Sequence, residues 1–116
     1  MYCKRSSFYQ QFTGVKLDKE LSEKFKNLRD KIDAVDIKIV KLLNIRALYA
    51  IKLGAIKKIA GLPIYMPERE KEVNRNVLKN NNGPLEDKAV SRLYERIIDE
   101  SRRLERKKNK ENEKNN

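Results

Sequence analysis

Arg46, Ala50, Leu53 and Lys57 stand at i, i+4, i+7 and i+11, one stripe of a single helix that is otherwise apolar. Two cations aimed into a hydrophobic seam need an explanation, because a buried cation costs several kcal/mol unless it meets a counter-charge. One explanation is an ion pair with a carboxylate on another helix. The other is an anionic ligand held between helices, for which Ala50 on the stripe and Gly54 beside it leave room. Further polar residues fall on apolar faces. Ser101 and Glu105 share a helical face with Ile97, and Arg69 and Glu70 follow a helix start at Pro67. Arg29 lies 17 residues before Arg46, rotated by roughly 100° on an ideal helix. It faces another direction and would more easily serve a second site across a dimer. Three arginines and a lysine outnumber the nearby carboxylates. A small dianion fits that excess, since guanidinium forks bind carboxylates bidentately.

The chemistry open to such a site is restricted. The 116 residues contain no histidine, which removes the commonest general base and metal ligand and both the Ser-His and Cys-His nucleophile pairings. Cys3 is the single cysteine, cannot form an internal disulfide, and suits a reducing cytoplasm. The formal net charge is +11, but residues 1–16 carry +3 of it and residues 102–116 carry +4. Most of the excess therefore belongs to the ends of the chain, and a solvated charged surface is its default meaning. No apolar run approaches the ~20 residues needed to cross a bilayer, so no membrane partner is expected. The basic start "MYCKRSSFYQQFTGVK" lacks the apolar region and cleavage site of a secretory signal.

The elements that would position these residues are helices. Leu21, Phe25, Leu28, Ile32, Val35, Ile39 and Leu42 recur at steps of four and three, and the register continues through Arg46, Tyr49, Leu53, Ile56 and Ala60. That is the seam of one helix of about 40 residues, with Asp18 as N-cap and Gly61 and Pro63 as its stop. At ~1.5 Å per residue it would be roughly 60 Å long, too long for the rest of a small chain to cover. A second copy is the economical solution, so a homodimer is expected. A second helix begins at Pro67, with Met66 at an N-cap position that prefers Asp, Ser or Asn, and "NNNGP" ends it. A third runs from about Glu86 to Lys107, with Val90, Leu93, Tyr94, Ile97 and Ile98 on its buried side. Residues 1–17 read as a disordered leader, 18–107 as the helical domain, and 108–116 as a disordered charged tail.

Three stretches, "LRDKIDAVDIKIVKLLNIRALYAIKLGAIKK", "GLPIYMPERE" and "GPLEDKAVSRLYERIIDESRRLE", resemble the all-helical class of chorismate mutase over about residues 25–106. The combination of "LRxKID", Arg46, "GxxK", "PERE" and "IIxxSR" carries the similarity. The resemblance implies an all-α fold, one long and two shorter helices intertwined in a homodimer with shared sites. It implies conversion of chorismate to prephenate by a [3,3]-sigmatropic rearrangement in phenylalanine and tyrosine biosynthesis. That step needs no base, nucleophile, metal or cofactor.

By the same similarity, Arg46 of one chain and Arg29 of the partner clamp the two substrate carboxylates. Lys57 and Glu105 donate hydrogen bonds to the ether oxygen as the C–O bond breaks. Glu70 holds the ring hydroxyl, Arg69 shapes and charges the pocket, and Ser101 contacts a carboxylate. Glu105 replaces the Gln of some relatives and donates only when protonated. Met66 replaces a common Asp. Either the contact there comes from the backbone N–H of Met66 or the hydroxyl contact is weakened.

Two other functions share some of these features. An isochorismate pyruvate-lyase uses the same fold and a similar cationic pocket. A basic helical nucleic-acid binder would explain the charge, but the terminal segments lack aromatics among their basic residues, and Arg46 and Lys57 point inward.

Overall fold

The computed structural model describes residues 18–115; the leader expected over 1–17 and the final Asn116 lie outside them. Three helices make up the fold: α1 Lys19–Ala60, α2 Pro67–Lys79 and α3 Asp87–Asn115. Among the described residues there is no strand, and no helix is long and apolar enough to cross a membrane. The chain divides into two units, residues 1–41 and 42–116. In the described residues the first is the N-terminal half of α1. The second holds the rest of α1 with α2 and α3.

Local chemistry sets the helix ends. The Asp18 carboxylate accepts a hydrogen bond from the Leu21 backbone N–H at 2.7 Å, which satisfies one of the orphan donors of a helix start. At the other end Gly61 takes φ +70°. The N–H of Leu62 bonds back to the Lys57 carbonyl at 2.8 Å and that of Gly61 to Lys58 at 3.2 Å, the paired closure of a Schellman cap. Met66 stands at the N-cap of α2 without a side-chain cap, and Pro67 follows as the first helical residue. Asn80 closes α2, and Asn81 spans the turn by donating to the Leu85 carbonyl and to Asp87.

Within the second unit α2 lies against α3. Val73, Val77 and Leu78 of α2 are half-buried, as are Val90, Tyr94, Ile97 and Ile98 of α3. Ser91 donates to the Asn74 side chain at 2.9 Å across the same contact. Leu93 corrects the expected buried side of α3: it is 55% exposed, because the covered row runs 90, 94, 97, 98, 101 and 105 and position 93 falls beside it.

α3 also continues past its expected end. The tail expected to be disordered from residue 108 is helical to Asn115. Asn109 donates to the Gly54 carbonyl of α1 at 3.2 Å. Lys58 pairs with Glu113 at 2.7 Å and Lys108 with Glu111 at 3.2 Å. The partners on α1, Gly54 and Lys58, give a charged, low-complexity segment what its composition lacks, a surface to dock on. The Lys58 ammonium, bonded to Glu113, holds that carboxyl below its usual range.

The apolar seam of α1 is exposed in the single chain. Leu28 is 61% accessible, Ile32 58% and Leu42 64%. Only Gly54 and Lys57 of α1 are buried, both near its C-terminal end, and no large side chain among the described residues is fully buried. The chain covers α1 where the cations are and leaves the rest of the seam open.

The Gly61 cap gives a direct stability test. A Cβ there would meet nothing within 4 Å, so the cost of Gly61→Ala is the backbone cost of a left-handed non-glycine residue, about 1–2 kcal/mol. Urea unfolding of the variant is expected to show a lower midpoint with an unchanged slope.

Candidate active site

The cations of α1 meet α3 in two different ways. Lys57 is 8% exposed and Glu105 4%. The Lys57 ammonium donates to the Glu105 carboxylate at 3.0 Å and to the Ile64 carbonyl at 2.9 Å. The ion-pair reading of the α1 cations is therefore correct for Lys57. These contacts use two of the three ammonium N–H groups. Arg46 differs: it donates at 2.7 Å to the hydroxyl of Ser101, which itself donates to the Ile97 carbonyl at 3.0 Å. A hydroxyl positions a guanidinium without cancelling its charge.

Gly54 permits this meeting of helices. A Cβ at that position would lie 2.9 Å from Cγ and 3.0 Å from Cβ of Glu105, closer than real carbon contacts allow. The space beside the cation stripe is thus divided. At Gly54 it is filled by Glu105, whereas Ala50 borders a cavity of about 230 Å³.

That cavity lies wholly within the second unit. Arg46, Lys57, Met66, Arg69, Glu70, Ser101 and Glu105 all line it, so seven of the eight residues expected at the site are brought together. Arg29, the eighth, is not among the lining residues. It lies in the first unit, with its guanidinium 4.6 Å from the Phe25 ring centroid. Arg69 and Glu72 form an ion pair on the outer side of α2. Met66 contributes its half-buried side chain to the wall, and its carbonyl receives the N–H groups of Arg69 and Glu70 at 3.1 and 3.2 Å. Tyr49, Leu53, Ile64, Val73 and Ile98 supply apolar walls.

One charged lining residue lies outside the set expected from sequence. Arg102 borders the cavity beside Ser101, with Nε 3.0 Å from the Glu70 carboxylate. In the sequence it is the arginine of the "IIxxSR" stretch, given no role at the site because it stands one position off the stripe of Ser101 and Glu105. With it, four cations (Arg46, Lys57, Arg69, Arg102) face two carboxylates (Glu70, Glu105) around the cavity. Arg69 is also bonded to Glu72 and Arg102 to Asp99, so the lining cation met by a hydroxyl and not by a carboxylate is Arg46; it suits a carboxylate of a small anion, and the apolar walls suit a carbon ring. Among the described residues no cluster of acidic or sulfur ligands is arranged to hold a metal ion.

Similarity to known proteins covers the same part of the chain. Residues 28–106 match the family model for chorismate mutase type II. The bifunctional chorismate mutase/prephenate dehydratase of Aquifex aeolicus is 40% identical over 89 residues, covering 73% of this chain and 25% of that protein. The chain thus spans about a quarter of the length of the bifunctional relatives it matches. The chorismate mutase of Methanocaldococcus jannaschii is 32% identical over 87 residues, 72% of this chain and 86% of that protein. Among solved structures, chorismate mutase from Helicobacter pylori in complex with prephenate superposes with a TM-score of 0.72 at 30% identity, covering 77% of this chain and 97% of the other. Form II of the chorismate mutase from Thermus thermophilus gives 0.70 at 31% identity, covering 72% and 94%. With the matched segment reaching into all three helices and holding every lining residue of the cavity, the chain belongs to the chorismate mutase type II family.

Proposed function

We propose that this chain is a chorismate mutase, converting chorismate to prephenate as an isomerase of aromatic amino acid biosynthesis in the cytoplasm. The observation that carries the reading is Arg46, a cation anchored by a hydroxyl rather than a carboxylate and lining a cavity with apolar walls. The reaction breaks one C–O bond and forms one C–C bond within the same molecule, with no proton or electron exchanged with the protein. The protein's part is to select the folded conformer and to stabilise charge. Guanidinium forks on the two carboxylates hold the enolpyruvyl arm over the ring, which removes part of the entropic barrier.

The negative charge that grows on the ether oxygen is met by Lys57 and Glu105. Their polar atoms are 3.0 Å apart in the free protein, so one oxygen placed beside the pair, at hydrogen-bond distance from each, can reach both. An ionised Glu105 accepts from Lys57 and repels the developing charge; a protonated one donates to it. Preorganised donors of this kind are typically worth about 2.7–4 kcal/mol in the transition state. Ser101, which accepts from Arg46, holds that guanidinium beside the carboxylate and donates to it once its hydroxyl turns from the Ile97 carbonyl. Glu70 receives the ring hydroxyl, and Arg69 contributes charge at the mouth.

A second clamp comes from a homodimer. The exposed seam of α1, with Leu28, Ile32, Val35, Leu42 and Ile56 each more than half accessible, supports a second copy as its cover. Residues left in water along such a helix would otherwise forgo about 25 cal/mol for each Å² of apolar surface. Arg29 of the partner chain completes each site.

The tests separate these parts. Arg46→Ala is expected to lower kcat/KM for chorismate by at least about 100-fold, the scale for removing a transition-state clamp, with prephenate as the product of the wild-type chain. Salicylate and pyruvate from isochorismate, with no prephenate from chorismate, would reassign the chain to the lyase. Copies carrying Arg29→Ala and copies carrying Arg46→Ala should each be inactive alone. Refolded together, they should recover about a quarter of wild-type activity, since half of randomly paired dimers hold one intact site. No recovery on mixing would rule out a shared site. For Glu105, the neutral amide of Glu105→Gln donates without needing a proton, so kcat/KM for chorismate is expected to be kept or raised, whereas Glu105→Ala should lower it by about 100-fold. A Gln variant as inactive as the Ala variant would exclude a donor role at this position.

A further inference from the structure

The contact between Glu70 and Arg102 leads beyond the reading above, on which it rests. Arg102 is held on three sides. Its Nε lies 3.0 Å from Oε2 of Glu70 on α2, its Nη2 donates to Asp99 one turn back on α3, and its Cζ sits 5.0 Å from the ring centroid of Tyr65, just ahead of α2. The Nε atom is buried and makes no aligned hydrogen bond, so its contact with Glu70 is one of charge. Both side chains are about three-quarters buried, at 24% and 25% exposure, where an ion pair is screened less than on an open surface.

We propose that Arg102 is a positioning residue that acts through Glu70, holding its carboxylate where it receives the substrate's ring hydroxyl and offsetting its charge. Without a partner, a glutamate on a helix face samples several rotamers, and its charge opposes entry of a dianion. The arginine removes both faults. Tyr65 supports the flat face of the guanidinium and Asp99 its outer edge, so the orientation of Glu70 is set by three elements: the turn before α2, α2 itself and α3. Lysine at this position would keep the charge but lose the planar stack and the second direction of donation. Since the ring hydroxyl is present in substrate and transition state alike, the effect should fall mainly on KM.

A double-mutant cycle on chorismate turnover tests this. Arg102→Ala is expected to raise KM and lower kcat/KM by about tenfold, the scale of coupling between residues in one ion pair. Glu70→Ala alone should cost at least as much, and the double variant no more than Glu70→Ala. Arg102→Lys should recover part of the loss, and it carries the same cycle where the alanine variant does not fold. A merely structural arginine would give losses that multiply whether or not Glu70 is present. Multiplying losses, or Arg102→Ala with unchanged kcat/KM, would overturn the proposal while leaving the mutase reading intact. A wild-type chain that forms no prephenate overturns both.

Discussion

The buried contact between Lys57 and Glu105 is the constraint around which this fold is arranged. An ammonium at 8% exposure and a carboxylate at 4% persist in a protein interior only as a pair with their remaining polar valences met. The pair needs α1 and α3 to approach more closely than any side chain at position 54 would permit. Gly54 satisfies that steric demand. Asn109 then bonds the carbonyl of the same glycine one turn further along α3. Removing either member of the pair would leave a buried charge without its partner, a loss of about 3–5 kcal/mol in comparable cases. The pair that fixes the meeting of α1 and α3 is thus the one proposed to face the ether oxygen, with Glu105 the acceptor in the free protein.

Arg46 shows the opposite arrangement. The nearest polar group on α3 is a hydroxyl rather than a carboxylate, so the guanidinium is oriented but not neutralised. Two cations on one stripe of α1 thus receive different treatment because the residues facing them differ, Ser101 at one and Glu105 a turn later. The remaining charge around the cavity follows the same division. Glu70 is matched by Arg102 and Arg69 meets Glu72 outside, which leaves Arg46 as the cation with capacity for a ligand's carboxylate.

Much of this was legible in the sequence, because helices announce themselves by period and by their ends. The seam from Leu21 to Ala60, the Asp18 cap and the Gly61 stop follow from local chemistry and appear at those positions. Seven of the eight residues expected at the site line one cavity. What period and composition could not convey was what lies across each gap. Leu93 reads as buried until the position of α2 is known. The segment after Lys107 reads as a solvated tail until Lys58 and Gly54 are seen to receive it. Gly54 reads as space for a ligand, although Glu105 occupies it. Arg102 sits one residue off the stripe, and its role depends on Tyr65 and Glu70 from distant parts of the chain. Each of these depends on a partner far away in sequence, which helical periodicity does not encode.

A lean core is compatible with such a site because the reaction asks for shape and charge rather than for a reactive group. No side chain has to be made unusually basic or nucleophilic, so the absence of histidine is no handicap. The requirement is that several donors keep fixed positions around about 230 Å³ of space. In a chain with no fully buried large side chain among its described residues, apolar packing alone would hold them loosely. Here the polar groups are fixed by one another: the donors Arg46 by Ser101 and Lys57 by Glu105 and the Ile64 carbonyl, and the acceptor Glu70 by Arg102. Such a network resists substitution at its polar positions more than at its apolar walls, where a methylene gained or lost typically costs about 1–3 kcal/mol. The arrangement that would recognise the dianion is the one that ties α2 and α3 to the end of α1.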